Sequence, residues 1–181
     1  MDKRWIQGCR EGDALAIEQL VDNYQERIYR LVLSILDDPG EAEDGTQEVF
    51  LAALRALDSF RGEASFTTWL YSIAINVCRN RLKTRRRHER IKGIFQELFH
   101  QTADRSSSLE EWVIKDESDA VLWQAIRAID DKHRLPIILG YYHDLPVAEI
   151  AEMLDIPAGT VHSRLNAARK TLQRALNDKR L

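Results

Sequence analysis

The sequence predicts an all-α protein, built as two small helical domains joined by a flexible linker. Three observations carry that prediction. Apolar residues recur three and four apart, the spacing of a helix face, along most of the chain. Four prolines, eight glycines and few β-branched runs leave little from which strands could be made. Between about Glu89 and Asp116 the apolar content drops and Arg105-Ser106-Ser107-Ser108 interrupts a polar stretch, as in a linker. The expected boundaries are therefore 1–88, 89–116 and 117–181.

The first domain reads as follows. Asp13 caps a helix that runs to about Leu36. Asp38-Pro39-Gly40 reads as a turn, and a helix over Glu41 to Leu57 follows. Its buried side is Phe50, Ala53, Leu54 and Leu57, completed by Ala42 and Thr46, while Glu41, Asp44, Glu48 and Leu51 point outward. Phe60 to Thr68 is a loop. The next helix, about Thr68 to Arg87, sets Leu70, Ile73, Ala74, Val77 and Arg81 on one side. Ser72, Asn76, Arg79, Lys83 and Arg86 lie on the other, a cationic stripe leading into Arg85-Arg86-Arg87. Within the linker, Ile91, Ile94, Phe95, Leu98 and Phe99 keep the spacing of a short amphipathic helix.

Four helices are expected in the second domain, near Ala120 to Ile129, Asp131 to Tyr142, Val147 to Leu154 and Ala158 to Leu176. Val121, Leu122, Ile126, Ile137, Ile138, Ile150, Leu154, Val161 and Leu165 can make one core. The last two helices have the layout of a helix-turn-helix. Ile150, Ala151 and Leu154 form one apolar side, Val161, Leu165, Ala168 and Leu172 the other, and Ile156-Pro157-Ala158-Gly159-Thr160 separates them. With about 100° per residue, Ser163, Asn166, Ala167 and Lys170 fall opposite the apolar side, flanked by His162, Arg164 and Arg169. From Ala158 to Lys170 there is no Asp or Glu, and short polar groups with flanking Arg suit groove edges and phosphates. An ordinary helical hairpin is the plainer alternative.

Net charge is −3, so the chain is not globally basic. The charge is segregated instead: Asp37 to Glu48 carries only acidic charges and Arg79 to Lys92 is almost wholly basic, which points to two partners of opposite character. From spacing alone the acidic stripe reads as a solvated face ahead of a dock for a basic helical partner, the alternative that Leu51 beside it suggests. The segment Phe60-Arg61-Gly62-Glu63-Ala64-Ser65-Phe66-Thr67-Thr68-Trp69 mixes aromatics with small residues, as loops that hold an unstacked base do, although Phe60, Phe66, Trp69 and Tyr71 also read as packing groups. Asn76 sits mid-helix on the basic side, where its amide could read a base edge. Cys9 and Cys78 have neither CxxC nor His-ligand spacing, so no metal site is expected, and Cys78 reads as an inert core thiol. No catalytic constellation and no cofactor are expected. Met1 to Arg10 lacks an apolar core of signal-peptide length and no run approaches a membrane span, so a reduced cytoplasm is the expected location.

EAEDGTQEVF (Glu41 to Phe50), FRGEASFTTWLYSIAINVCRNRLKTRRR (Phe60 to Arg87) and EIAEMLDIPAGTVHSRLNAARK (Glu149 to Lys170) together resemble bacterial sigma factors of the extracytoplasmic-function group. The resemblance covers nearly the whole chain outside the linker. It implies a region 2-like domain over 1–88 and a region 4-like domain over 117–181. It also implies an alternative sigma factor that binds core RNA polymerase, recognises two promoter elements and helps to melt the promoter. Core-polymerase binding would fall to Asp44, Gln47, Glu48, Phe50 and Leu51. Minus-ten DNA would meet Phe60, Ser65, Phe66, Ser72, Asn76, Arg79, Lys83 and Arg86, with the Arg85 to Arg87 run on the adjoining backbone. Minus-thirty-five DNA would meet Thr160, His162, Ser163, Arg164, Asn166, Ala167, Arg169 and Lys170. An anti-sigma protein is a further partner that the resemblance allows. Gly45, Asn80, Gly140, Asp155, His162 and Ala167 depart from the family pattern. Asp155 replaces a glycine, so a left-handed backbone there would be strained.

Other classes fit less of the chain. A helix-turn-helix regulator acting on duplex DNA without replacing sigma needs neither the acidic helix nor the aromatic loop. A DNA recombinase needs a nucleophile with clustered Arg, or clustered carboxylates for metal. An anti-sigma or adaptor protein needs no pair of cationic DNA faces.

Overall fold

A computed structural model describes residues 3–99 and 117–178, with side chains from 5 to 89 and from 122 to 175. The chain divides into two units, Met1–Ser108 and Leu109–Leu181.

The first unit is built on α2 (Ala14–Leu36), whose N-cap Asp13 accepts the Leu15 N–H at 3.0 Å. Ala16, Leu20, Tyr24, Ile28, Leu31 and Ile35 recur at three- and four-residue spacing along its buried side. The helix ends at Asp37, in the left-handed region with φ 60°, whose N–H bonds the Leu33 carbonyl. Asp38-Pro39-Gly40 is not a separate turn. Asp38 is an N-cap accepting the Glu41 N–H at 2.8 Å, and Pro39 already opens α3 (Pro39–Ala56). Proline suits that first position because its missing N–H would have had no partner there.

Gly45 departs from the family pattern for a steric reason. A Cβ there would lie 2.9 Å from Val32 Cγ1 and 3.4 Å from Leu36 Cδ1, so α2 and α3 cross too closely for a methyl group. The helix-propensity cost of glycine, roughly 0.5–1 kcal/mol, accompanies that close crossing. A 3-10 turn, Leu57–Ser59, leads into the loop, and α4 (Phe66–Phe99) begins two residues earlier than expected. The backbone of α4 continues past Arg87 to Phe99. The side chains of the expected amphipathic stretch, Ile91 to Phe99, and residues 100–116 of the expected linker lie outside the described residues.

A helix not foreseen from sequence, α1 (Lys3–Glu11), packs on α2. It ends in paired bonds from the Gly12 N–H to Cys9 O and the Asp13 N–H to Gly8 O, with Gly12 at φ 78°.

In the second unit α5 (Glu117–Arg127) is followed by α6 (Asp131–Ile137), capped by Asp130. The single helix expected over Asp131 to Tyr142 is split. Pro136 lies inside it, and the chain then widens into a π turn over Ile138–Tyr142, where the His143 N–H reaches back to Ile138 O. The helix pair α7 (Val147–Leu154) and α8 (Ala158–Asp178) completes the unit. Its core contains the expected Ile126, Ile137, Ile138, Ile150, Leu154, Val161 and Leu165, and also Trp123, Leu139 and Met153. Leu122 is a correction: it is 36% exposed and lines a surface groove of about 300 Å³ with Ile126, Ile137, Tyr141 and Leu172. Val121 lies outside the described side chains.

Candidate nucleic-acid interface

The outward side of α3 presents Asp44, Gln47 and Glu48, all exposed, beside Leu51, which is 54% exposed. Phe50 lies on the inner side expected from its spacing. It is 7% exposed, with Val49 and Ala53 also buried, so it is not part of the outward stripe. Two carboxylates of the acidic stripe have partners on α4. Glu48 Oε2 accepts from Arg81 Nε at 2.8 Å, and Glu41 Oε1 lies 3.8 Å from Arg85 Nη1. Arg85 also donates to the Leu36 carbonyl at 3.0 Å, at the C-terminal end of α2, where a cation is favoured. Arg85 is thereby engaged within the protein: its contacts link α4 to α2 and α3.

At the start of α4, Ser65 Oγ accepts the Thr68 N–H at 3.0 Å and lies 2.7 Å from Thr68 Oγ1, so Ser65 is the cap of the helix. Ser72 Oγ donates back to Thr68 O at 2.9 Å. Phe66 is 6% exposed, with ring centroids of Trp5, Tyr24, Phe60 and Trp69 within 4.7–5.4 Å. It is the hub of an aromatic cluster, the packing role its composition suggested, and its ring is not open to a stacked base. Phe60 and Trp69 remain half-buried at the cluster's edge. Along the outward side of α4, Asn76, Lys83 and Arg86 are exposed, and Ser72 and Arg79 are half-buried. Cys78, on the inner side of the same helix, is fully buried, and burial pushes its thiol up to about 12.

The helical wheel read from α8 places its residues as expected. Val161, Leu165 and Ala168 are buried, while His162, Ser163, Asn166, Ala167, Arg169 and Lys170 are exposed. Thr160 and Arg164 are half-buried, and the Thr160 carbonyl accepts the Ser163 hydroxyl at 2.9 Å. Asp155 ends α7 at φ 53°, ψ 51°, so it does adopt the left-handed backbone that strains a residue other than glycine. Gly140, in the π turn, lies so close to α7 that a Cβ would sit 3.3 Å from Ile150 Cδ1.

A short capped helix, a tight turn and a second helix with a continuous acid-free outer face form a helix-turn-helix. It accompanies an N-terminal unit that carries an acidic face and a basic one. Residues 20–88 match the family Sigma-70 region 2, and residues 119–172 match Sigma-70, region 4. The chain is 35% identical over 181 residues to the RNA polymerase sigma-H factor of Pseudomonas aeruginosa, covering 97% of this chain and 93% of that one. It is 33% identical over 185 residues to the ECF RNA polymerase sigma factor SigW of Bacillus subtilis, covering 98% of each. The chain belongs to the extracytoplasmic-function (ECF) sigma factors. As an ECF sigma factor it directs RNA polymerase to promoters and is not itself an enzyme. Among solved structures, CnrH in complex with the cytosolic domain of CnrY has the same fold, with a TM-score of 0.69 at 22% identity, covering 98% of this chain and 97% of that one. The sigma factor RpoE in complex with the anti-sigma factor NepR, from Bartonella quintana, gives a TM-score of 0.69 at 20% identity, over 88% and 96% of the two chains.

Two contacts near these surfaces of the ECF sigma factor were invisible in sequence. Arg10 of α1 donates to the carbonyls of Leu57 and Phe60, at the entry to the aromatic loop. Tyr141 accepts from Arg169, whose guanidinium lies 5.2 Å from the ring centroid. Each joins residues far apart in the chain, so spacing gave no signal. Among the described residues, no helix is long and apolar enough to cross a membrane.

Proposed function

We propose that this sigma factor divides its work among three surfaces. Asp44, Gln47, Glu48 and Leu51 on α3 dock a basic coiled coil of core polymerase. Phe60, Asn76, Arg79, Lys83 and Arg86 meet the minus-ten element, with Ser65 and Ser72 shaping the local backbone. His162, Ser163, Arg164, Asn166, Ala167, Arg169 and Lys170 meet the minus-thirty-five element, with Thr160 at the helix start. The observation that carries this reading is the opposite character of two neighbouring helices: α3 shows carboxylates and an exposed Leu51, and α4 shows Asn76 and Lys83. An anti-sigma partner in the cytoplasm completes the reading. Its support is the pair of fold relatives whose structures were solved with the cytosolic domain of CnrY and with the anti-sigma factor NepR.

The test is direct. Glu48→Lys and Asp44→Arg should each weaken binding to core polymerase about tenfold or more, because attraction to a basic partner becomes repulsion. Helix content should be retained in both. Unchanged affinity in both variants would remove the docking assignment.

A further inference from the structure

We infer that α1 is a brace for the aromatic loop, and that Arg10 and Trp5 are positioning residues for capture of the melted strand. The inference rests on the assignment of that loop and Asn76 to the minus-ten element. The loop between Ser59 and Phe66 contains no regular secondary structure and must hold its shape through its two ends. Arg10 holds the entry. Its Nε and Nη2 donate to Leu57 O at 3.3 and 3.2 Å, and Nη2 donates to Phe60 O at 2.9 Å. These carbonyls lie just past the C-terminal end of α3, where a guanidinium is the favoured donor. The Arg10 side chain is only 30% exposed, whereas its ion partner Asp58, 3.8 Å away, is 92% exposed and adds little.

Trp5 holds the exit. Its ring meets Phe66 edge-on, with centroids 4.7 Å apart and planes at 85°. Phe66 is the first residue of α4, so one short helix grips the loop on both sides. The brace is itself anchored. A Cβ on Gly8 would lie 2.8 Å from Ala16 Cβ, so glycine lets α1 sit directly on α2, and Cys9 is buried in the contact. Trp5, Gly8, Cys9, Arg10 and Ala16 all lie before residue 20, where the region 2 match begins, whereas the loop they hold lies inside it. A loop held in its binding shape loses less conformational freedom when a base enters, and the gain appears as affinity for single-stranded DNA.

The experiment uses full-length protein with core polymerase. A promoter fragment is first selected from a randomised library by the wild-type holoenzyme. Its single-stranded non-template minus-ten oligonucleotide is then the probe. Arg10→Met should weaken binding of that probe by about 5- to 30-fold, the loss expected from a few net hydrogen bonds. Affinity for core polymerase and for the duplex minus-thirty-five element should stay at the wild-type level. Arg10→Lys, which keeps the charge but not the forked donors, should fall between the two. Gly8→Val, which pushes α1 off α2 and leaves Arg10 intact, should give the same selective loss. Wild-type probe affinity in Arg10→Met or in Gly8→Val overturns the inference, as does an equal fall in core-polymerase affinity. Asn76→Ala serves as the separate check. If it too binds the probe like wild type, the minus-ten assignment itself fails; if it weakens binding and Arg10→Met does not, only the brace is wrong.

Discussion

The two basic helices of this sigma factor use their charge differently. On α4, Arg81 and Arg85 turn toward α3 and α2, holding Glu48, Glu41 and the Leu36 carbonyl, while Lys83 stays exposed. On α8 the outer face remains open from His162 to Lys170, and Arg169 is steadied by a tyrosine rather than a carboxylate. A basic run in sequence therefore overstates the charge available to DNA when an acidic helix packs beside it. Where the neighbouring helix is α7, with its apolar side turned inward, the count is closer to the truth.

Substitutions on α4 test that contrast most strongly. Arg85→Ala should destabilise the protein by about 1–3 kcal/mol, since it strips the donor from a carbonyl at a helix end. The salt dependence of promoter binding should not change. Lys83→Ala should do the reverse: stability within about 0.5 kcal/mol of wild type, and a salt slope shallower by about one. Urea denaturation and binding titrations across salt concentration decide the matter, and an exchange of the two phenotypes would reverse the division drawn here.

On α8 the expected effect is smaller and of another kind. Asn166→Ala should change which minus-thirty-five sequence is preferred, by about 1 kcal/mol at one base position, with little loss of overall affinity. Transcription from a library of upstream sequences measures it. An unchanged preference would mean that the open face meets only backbone.

The smallest effect concerns Cys78, beneath the basic face of α4. Its folded value of about 12 stands above the ordinary thiol value of 9.0. Below pH 9 both folded and unfolded chains keep the proton and the stabilisation is fully present. As pH rises the unfolded chain ionises first, so stability falls until the folded thiol ionises near 12. Urea midpoints between pH 8 and 10 should decline more steeply in wild type than in Cys78→Ala, by about 1 kcal/mol per pH unit at most.

Periodicity made much of this legible. The faces of α4 and α8 follow from three- and four-residue spacing, and the outward set on α8 needed nothing more. Local chemistry was harder to read. Asp38-Pro39 has the signature of a helix start as well as of a turn, and a nine-residue α1 with only Trp5, Ile6 and Cys9 to mark its inner side gave a weak signal. Tertiary pairing was out of reach: Arg81 meets Glu48 across 33 residues and Arg85 meets Leu36 across 49. The burial of Phe50 and Phe66 was readable from spacing and composition, but the partners that surround the Phe66 ring, Trp5 and Tyr24 among them, were not.

The aromatic cluster around Phe66 also equips the protein with an optical reporter. Trp69 lies 5.2 Å from the Phe60 ring and 5.3 Å from the Phe66 ring, half-buried where the loop joins α4. Indole emission responds to the polarity and stacking of its immediate neighbours. With Trp112 and Trp123 replaced by phenylalanine, the remaining indole emission of the sigma factor would come from Trp5 and Trp69, both in contact with Phe66. Strand capture could then be timed by stopped flow on unlabelled protein and unlabelled DNA, at the site where it is proposed to occur.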